Sequence, residues 1–194
     1  MVTFSSIDRA VVADPRRARG CSPVTRAVRP AVRIRPIYPS DADRLRAFYA
    51  ALSDASRRTR FLGPTIGIGV RQSKDFCDAD HAHRRGFVAV TVRAARRDRI
   101  VGHVCLEPDG PASAEVALAV ADDLQGQGIG RALVEAAVEW AGQDGFRTLT
   151  ASMLAGNVPI QRLLTSLHLP TVAIPIGCGL VEIRIELDEA RSAA

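Results

Sequence analysis

The chain reads as an α+β domain, and three observations carry that reading. Apolar residues alternate at period two in some stretches and recur at i, i+3, i+4 and i+7 in others. The resulting order is strand, helices, antiparallel hairpin, strand–helix–strand, helix, hairpin, which is not the regular alternation of a doubly wound sheet. At 194 residues, 47% hydrophobic and 24% charged, the chain is long and apolar enough for one sizeable core.

Order is expected to begin at Val32-Arg33-Ile34-Arg35-Pro36-Ile37, where alternation marks a half-exposed strand. Ser40-x-x-Asp43 resembles a helix start, and Leu45, Phe48, Tyr49 and Leu52 then form one apolar face. A second short helix is predicted from Ser53 to Arg60. Residues 65–72 read as loop, with Ser73 as the cap of a short helix through Asp80. Gly86 to Val92 is a strand, Ala94 to Asp98 a polar turn, and Ile100 to Leu106 the returning strand of a hairpin. Pro108-Asp109-Gly110-Pro111 turns the chain again, into an apolar run at Val116, Leu118 and Val120.

Glycines at 126, 128 and 130 follow that run, and a helix comes at once. Its broad apolar face is Ile129, Ala132, Leu133, Ala136, Ala137, Trp140 and Ala141, while Arg131, Glu135 and Glu139 face away. Gly142 to Gly145 ends it. Phe146 to Met153 is the next strand, parallel to residues 115–120 if the crossover takes its usual hand. Asn157 caps a helix with Pro159 in its first turn and Leu163, Leu164 and Leu167 on its apolar side. Thr171 to Ile176 and Leu180 to Leu187 make a last hairpin around Gly177-Cys178-Gly179.

The net charge of +5 is unevenly placed. Residues 1–30 hold six arginines against two aspartates, leaving about +1 for the rest, so the basicity belongs mostly to an Arg-rich extension expected to be disordered. That extension reads as a solvated tail, an electrostatic contact for nucleic acid or an acidic partner, or a transit segment. No apolar run approaches a membrane span and no secretory signal opens the chain, so the expected location is cytoplasmic and no membrane partner is implied. Cys21, Cys77, Cys105 and Cys178 are scattered and read as free thiols. His81 and His83 lack a third ligand nearby, so no metal is expected.

The stretch from Ala114 to Leu133 carries the chemistry. Unpaired N–H groups at a helix mouth lie at the positive end of its dipole and suit a phosphate, which glycines let approach the backbone. No lysine follows the glycines, which excludes a P-loop. A dinucleotide fold would need a third glycine where Arg131 stands and a carboxylate at the tip of the next strand, which instead ends in Ser152-Met153-Leu154.

Gln125-Gly126-Gln127-Gly128-Ile129-Gly130 matches Q/R-x-x-G-x-G/A, and on that motif, its strand–loop–helix context and the element order from Val32 to Leu187, the chain resembles the GCN5-related N-acetyltransferases. Leu52-Ser53-Asp54-Ala55-Ser56-Arg57-Arg58-Thr59-Arg60-Phe61-Leu62 is similar to the L-S-x-E-S-x-x-x-R-F-F segment of bacterial protein-lysine acetyltransferases, whose acceptors include acyl-CoA synthetases. Asp80-His81-Ala82-His83 and Ala114-Glu115-Val116-Ala117 are similar to the same subgroup.

The resemblance implies a domain over residues 31–188 with a mixed, mostly antiparallel central sheet flanked by helices. It also implies acetyl-CoA as co-substrate and an amine acceptor, with a protein lysine ahead of a small amine. A fold that binds acetyl-CoA without turnover is the alternative from another class. By the same resemblance, the backbone of Leu118, Ala119 and Val120 pairs with the pantetheine arm. Gln125, Gly126, Gln127, Gly128, Ile129, Gly130 and Arg131 hold the pyrophosphate, and Asn157 contacts the cofactor arm.

An ammonium with a reference pKa of about 10.4 must lose a proton before it attacks, and Glu115 is the expected general base. Strand alternation places it opposite Val116, Leu118 and Val120, and burial beside the pantetheine channel would raise its pKa. Two departures from the family stand out. Leu163 and Leu164 occupy the region where many relatives have an acid tyrosine, and His168-Leu169 replaces the usual Gly-Phe.

Overall fold

The structure is a computed structural model, and it describes residues 31–78, 85–92 and 98–187. The expected N-terminal extension, His81, His83 and most of the turn after residue 93 lie outside the described residues. Among the described residues seven strands form one sheet: β1 (Ala31–Pro36), β2 (Arg85–Val92), β3 (Ile100–Pro108), β4 (Ser113–Val120), β5 (Thr148–Leu154), β6 (Thr171–Gly177) and β7 (Leu180–Glu186). Their spatial order is β1-β2-β3-β4-β5-β7-β6, and the β4–β5 pair is parallel while every other neighbouring pair is antiparallel. The described residues also form five α-helices: α1 (Ala42–Ala51), α2 (Asp54–Phe61), α3 (Val70–Cys77), α4 (Ile129–Gln143) and α5 (Val158–Leu167). None of them is long and apolar enough to cross a membrane.

Successive residues of β3 show how the layers sit. Gly102 faces α4, where an added Cβ would come within 2.8 Å of Leu133 Cδ1. Its neighbour His103 points the other way and meets Tyr49 of α1 at 2.9 Å. Period two along the strand therefore sorts α4 to one face and α1 with α3 to the other. The core is continuous through both layers, from Leu45, Phe48 and Tyr49 to Leu133, Ala137 and Ala141, with Leu149 and Ile185 in the sheet between.

The entry to α1 departs from the expected Ser40-x-x-Asp43 signal. A single 3-10 turn, Pro39–Asp41, leads into the helix, and the anchoring carboxylate is Asp41. It is fully buried and accepts from Arg35 at 2.7 and 2.9 Å, from the Tyr38 N–H at 3.0 Å, and from Arg44. Burial alone would raise its pKa; these hydrogen bonds and the two guanidinium charges outweigh it and hold the carboxyl below its usual range. Asp43 is on the surface, paired with Arg46.

Two boundaries also differ from expectation. α3 starts at Val70, with Gly69 as its cap, and Ser73 lies inside it, buried, with its hydroxyl bonded back to the Val70 carbonyl at 2.9 Å. Serine satisfies itself this way within a helix as readily as it caps one. β5 begins at Thr148, because Phe146 leaves the strand line to pack on Trp140, ring centroids 5.8 Å apart.

Candidate active site

The parallel pairing of β4 with β5 covers Ser113, Ala114 and Glu115 against Thr148, Leu149 and Thr150, and stops there. From Val116 to Val120 the β5-facing edge of β4 has no ladder partner, while its other edge stays paired with β3 through Gly102↔Val120. A parted strand pair leaves backbone donors and acceptors on offer to an extended ligand. The expected residues Leu118, Ala119 and Val120 all lie on this open stretch.

The glycine loop closes one end of the opening. Gly126 and Gly128 have φ of 71° and 86°, and neither has any atom within 4 Å of the position a Cβ would take. Gly128 is the N-cap of α4: its carbonyl accepts from the Ala132 N–H at 3.0 Å, so the amides of Gly128, Ile129, Gly130 and Arg131 precede the first helical bond. Gly130 is needed for packing, since a Cβ there would meet Leu163 Cδ1 at 3.0 Å, Leu118 Cδ2 at 3.5 Å and Val120 Cγ2 at 3.7 Å. The mouth of α4 thus sits directly on the open half of β4.

The other residues expected on the loop are placed as follows. Ile129 is buried in the core, and Arg131 reaches Glu135 Oε1 at 2.8 Å on the exposed face of α4. Gln127 caps the Asp123 carbonyl at 3.3 Å. The Gln125 amide donates inward, to the Val120 carbonyl and to Ser56 Oγ, each at 3.1 Å. Asn157 caps α5, its Oδ1 accepting from the Ile160 N–H at 3.4 Å.

Glu115 lies on the face opposite Val116, Leu118 and Val120, as alternation requires. It is exposed, however, and the burial expected for it is not found. Its directly opposed partner on β3 is Glu107. Both carboxylates line a cavity of about 190 Å³ with Arg60, Phe61, Gln72, Phe76, Cys105 and Ala117. A larger hollow of about 460 Å³ lies between the start of α1 and α3 and holds none of the expected site residues.

Arg60 forms the inner wall of the smaller cavity. Its guanidinium lies over Phe61 at 5.0 Å, Phe76 at 5.8 Å and Tyr49 at 6.0 Å, and donates to Cys105 Sγ at 3.3 Å. Burial pushes the Cys105 thiol up, so it stands in this wall as a protonated thiol rather than a nucleophile. Behind it, burial raises Tyr49 to about 12 and lowers His103 to about 3, the latter with help from the Arg60 charge. These two are neutral core groups bonded to one another.

A strand parted from its neighbour, with an anion-receptive helix mouth at one end and a carboxylate-lined cavity at the other, defines an acetyltransferase of the GNAT class. Residues 47–168 match the model of the Acetyltransferase (GNAT) family, and the chain belongs to that family. It is therefore an acetyltransferase that uses acetyl-CoA. The chain is 31% identical over 140 residues to acetyltransferase PA5475 of Pseudomonas aeruginosa, covering 70% of this chain and 73% of that one. Its fold is similar to the GNAT domain of S. lividans PAT, with a TM-score of 0.72, 26% identity, and 81% and 91% of the two chains covered. It is also similar in fold to yncA, a putative acetyltransferase of Salmonella typhimurium solved with its cofactor acetyl-CoA, at TM-score 0.62, 16% identity and 81% and 94% coverage.

Three features of this region were not expected as site elements. Glu107 follows from hairpin register once Pro108 and Ala114 are paired across the turn. Gln72 and Phe76 sit on one face of α3, whose start was misplaced. Asp122, between β4 and the loop, has no local signal for its partners, which lie 66 and 69 residues away.

Proposed function

We propose that the chain transfers the acetyl group of acetyl-CoA to the side-chain amine of a protein lysine by direct attack, with Glu115 as general base. The observation that carries this reading is the placement of Glu115 where the β4–β5 ladder ends. Cofactor groove and acceptor cavity meet at that residue, so a thioester lying along β4 would present its carbonyl beside the carboxylate. Leu118, Ala119 and Val120 pair with the pantetheine arm, and Gln125 to Arg131 surround the pyrophosphate with the α4 amides as its donors. Asn157, a helix cap in any case, borders the cofactor arm.

The chemistry balances simply. Glu115 takes a proton from the ammonium, directly or through water, and the amine nitrogen attacks the thioester carbonyl carbon. A C–N bond forms, the C–S bond breaks, the second proton leaves the acylated nitrogen to water, and the sulfur departs as the CoA thiolate. Protein lysine is favoured by the resemblance of the Ser53, Ser56, Arg60 and Phe61 pattern to the protein-lysine acetyltransferases, and the acidic pair at the cavity suits an incoming ammonium of either acceptor class. An acyl-CoA synthetase-like enzyme is the first acceptor to try.

The test is incubation with labelled acetyl-CoA against cell extract and a panel of small amines. Label on protein lysines supports the reading. Label confined to small amines would replace the acceptor class and leave the rest standing.

A further inference from the structure

α2 is eight residues long and has no buried side chain. A helix that short is marginal on its own; its last turn packs Phe61 on Tyr49, ring centroids 5.3 Å apart, and its first turn has no such anchor. What fixes the first turn is polar. Asp122 accepts from the Ser53 N–H at 2.9 Å, from Ser53 Oγ at 2.7 Å and from Ser56 Oγ at 2.6 Å. Ser53 Oγ in turn accepts from the Ser56 N–H at 3.2 Å, and Ser56 Oγ accepts from Gln125 Nε2 at 3.1 Å. The second Gln125 amide hydrogen goes to the Val120 carbonyl.

Each hydroxyl gives one hydrogen and takes one, and both Gln125 amide hydrogens are used. Burial alone would raise the Asp122 pKa, but the bonds from Ser56 and Ser53 hold it below the usual range. Its negative charge also sits at the positive end of α2. Two faces of the active site are thereby tied together. One end of the cluster is the last residue of β4 and the first of the glycine motif, and the other end is the helix whose final turn carries Arg60 and Phe61 into the acceptor cavity.

We propose that Asp122, Ser56 and Gln125 are positioning residues that couple the cofactor loop to the acceptor wall, so that acetyl-CoA binding steadies α2 and sets Arg60 and Phe61 for the incoming amine. This rests on the reading that the cofactor occupies residues 118–131. Gln125 on this view acts through its bonds to Ser56 and Val120, and the backbone amides are left to meet the pyrophosphate.

Hydrogen–deuterium exchange by mass spectrometry on the full chain, with and without coenzyme A, tests the coupling. In the wild type, coenzyme A should slow exchange severalfold over residues 125–133 and also over 54–61. In Asp122→Ala and Ser56→Ala the loop should keep its protection while the ligand-dependent slowing in α2 disappears. Ser56→Thr, which keeps the hydroxyl, should restore it. A merely structural brace would loosen α2 equally with and without ligand, so the difference between the two states is the diagnostic readout.

Retained ligand-dependent protection of α2 in both variants would overturn the proposal, as would a wild type in which the loop is protected and α2 is not. Absence of protection over the loop itself would refute the cofactor reading and take the proposal with it. Should Asp122→Ala fail to fold, Ser56→Ala decides, because it leaves the Ser53 cap and its bonds to Asp122 in place.

Discussion

Gly128→Ala separates the two duties assigned to the α4 mouth, and its size can be worked out. At φ 86° an alanine pays the left-handed penalty of about 1–2 kcal/mol, partly offset by about 0.5 kcal/mol from a stiffer unfolded chain. No atom lies within 4 Å of the new Cβ, so no clash adds to this. The net loss is about 1 kcal/mol, a fall in Tm of roughly 3 °C for a domain of this size. The new methyl projects from the N-cap beside the amides of residues 128–131, where the proposed reading puts the pyrophosphate. Calorimetric affinity for coenzyme A should drop tenfold or more, which is at least about 1.4 kcal/mol. Gly145→Ala is the matched control: its φ is 90°, it also faces open space, and α4 puts it about 22 Å from the loop. It should lose the same stability and no affinity. A Gly128→Ala protein with lowered Tm but coenzyme A affinity within twofold of wild type would refute the anion assignment. An unchanged Tm would refute the strain argument.

Two further expectations concern Glu115 and Asp41. Glu115→Gln should lower the acetyl-transfer rate by about 10²- to 10⁴-fold, the usual worth of a general base, with coenzyme A affinity within a factor of two; stopped-assay kinetics beside calorimetry check it. Asp41→Asn should destabilise the fold by about 2–3 kcal/mol in urea at pH 7, below the range for a fully buried pair because Arg44 is more than a third exposed. Since the folded Asp41 pKa is depressed, its stabilisation is complete above the unfolded value near 3.9 and is lost as pH falls through the lower folded value. The wild type should therefore weaken more steeply than Asp41→Asn below about pH 4, which parallel urea titrations at pH 7 and pH 3 measure.

Element order was legible because β2 and β3 are short apolar runs bounded by polar turns, β1 and β4 alternate in part, and α1, α4 and α5 each carry an apolar face. The glycine loop was legible for a local reason as well: left-handed glycines followed by a helix need no tertiary knowledge. The face on which Glu115 lies followed from alternation within one strand, while its exposure did not. What escaped the sequence depends on contacts between distant segments. Ser53 and Ser56 were visible as a resemblance, yet their partner Asp122 is a short acidic residue in a turn like many others. Arg60 reads as one of three arginines in α2, and only the packing of that helix over β4 separates it from Arg57, which bonds the Thr65 carbonyl at 3.1 Å and the Ala50 carbonyl at 3.3 Å. Ser73 misled because capping and back-bonding use the same hydroxyl.

The leaving group supplies the last expectation. Leu163 packs against the first turn of α4, with its Cδ1 3.0 Å from where a Gly130 Cβ would stand, so with the thioester lying along β4 as proposed this residue offers it only an apolar side chain. The two tyrosines of the chain do not compensate. Tyr49 is wholly buried against His103 and raised to about 12, and Tyr38 lies beyond the end of β1, three strands or about 14 Å from β4. His168 is exposed at the far end of α5, in the left-handed C-cap position. A thiol with a pKa of about 8.5, the value for a cysteine side chain, is a good enough leaving group to depart as its anion near neutral pH. With both substrates saturating, kcat should rise along a single limb set by the base and then stay level to about pH 9. A bell-shaped profile with a descending limb below pH 9 would mean that some protein group donates a proton to sulfur, and departure of the free thiolate would be refuted.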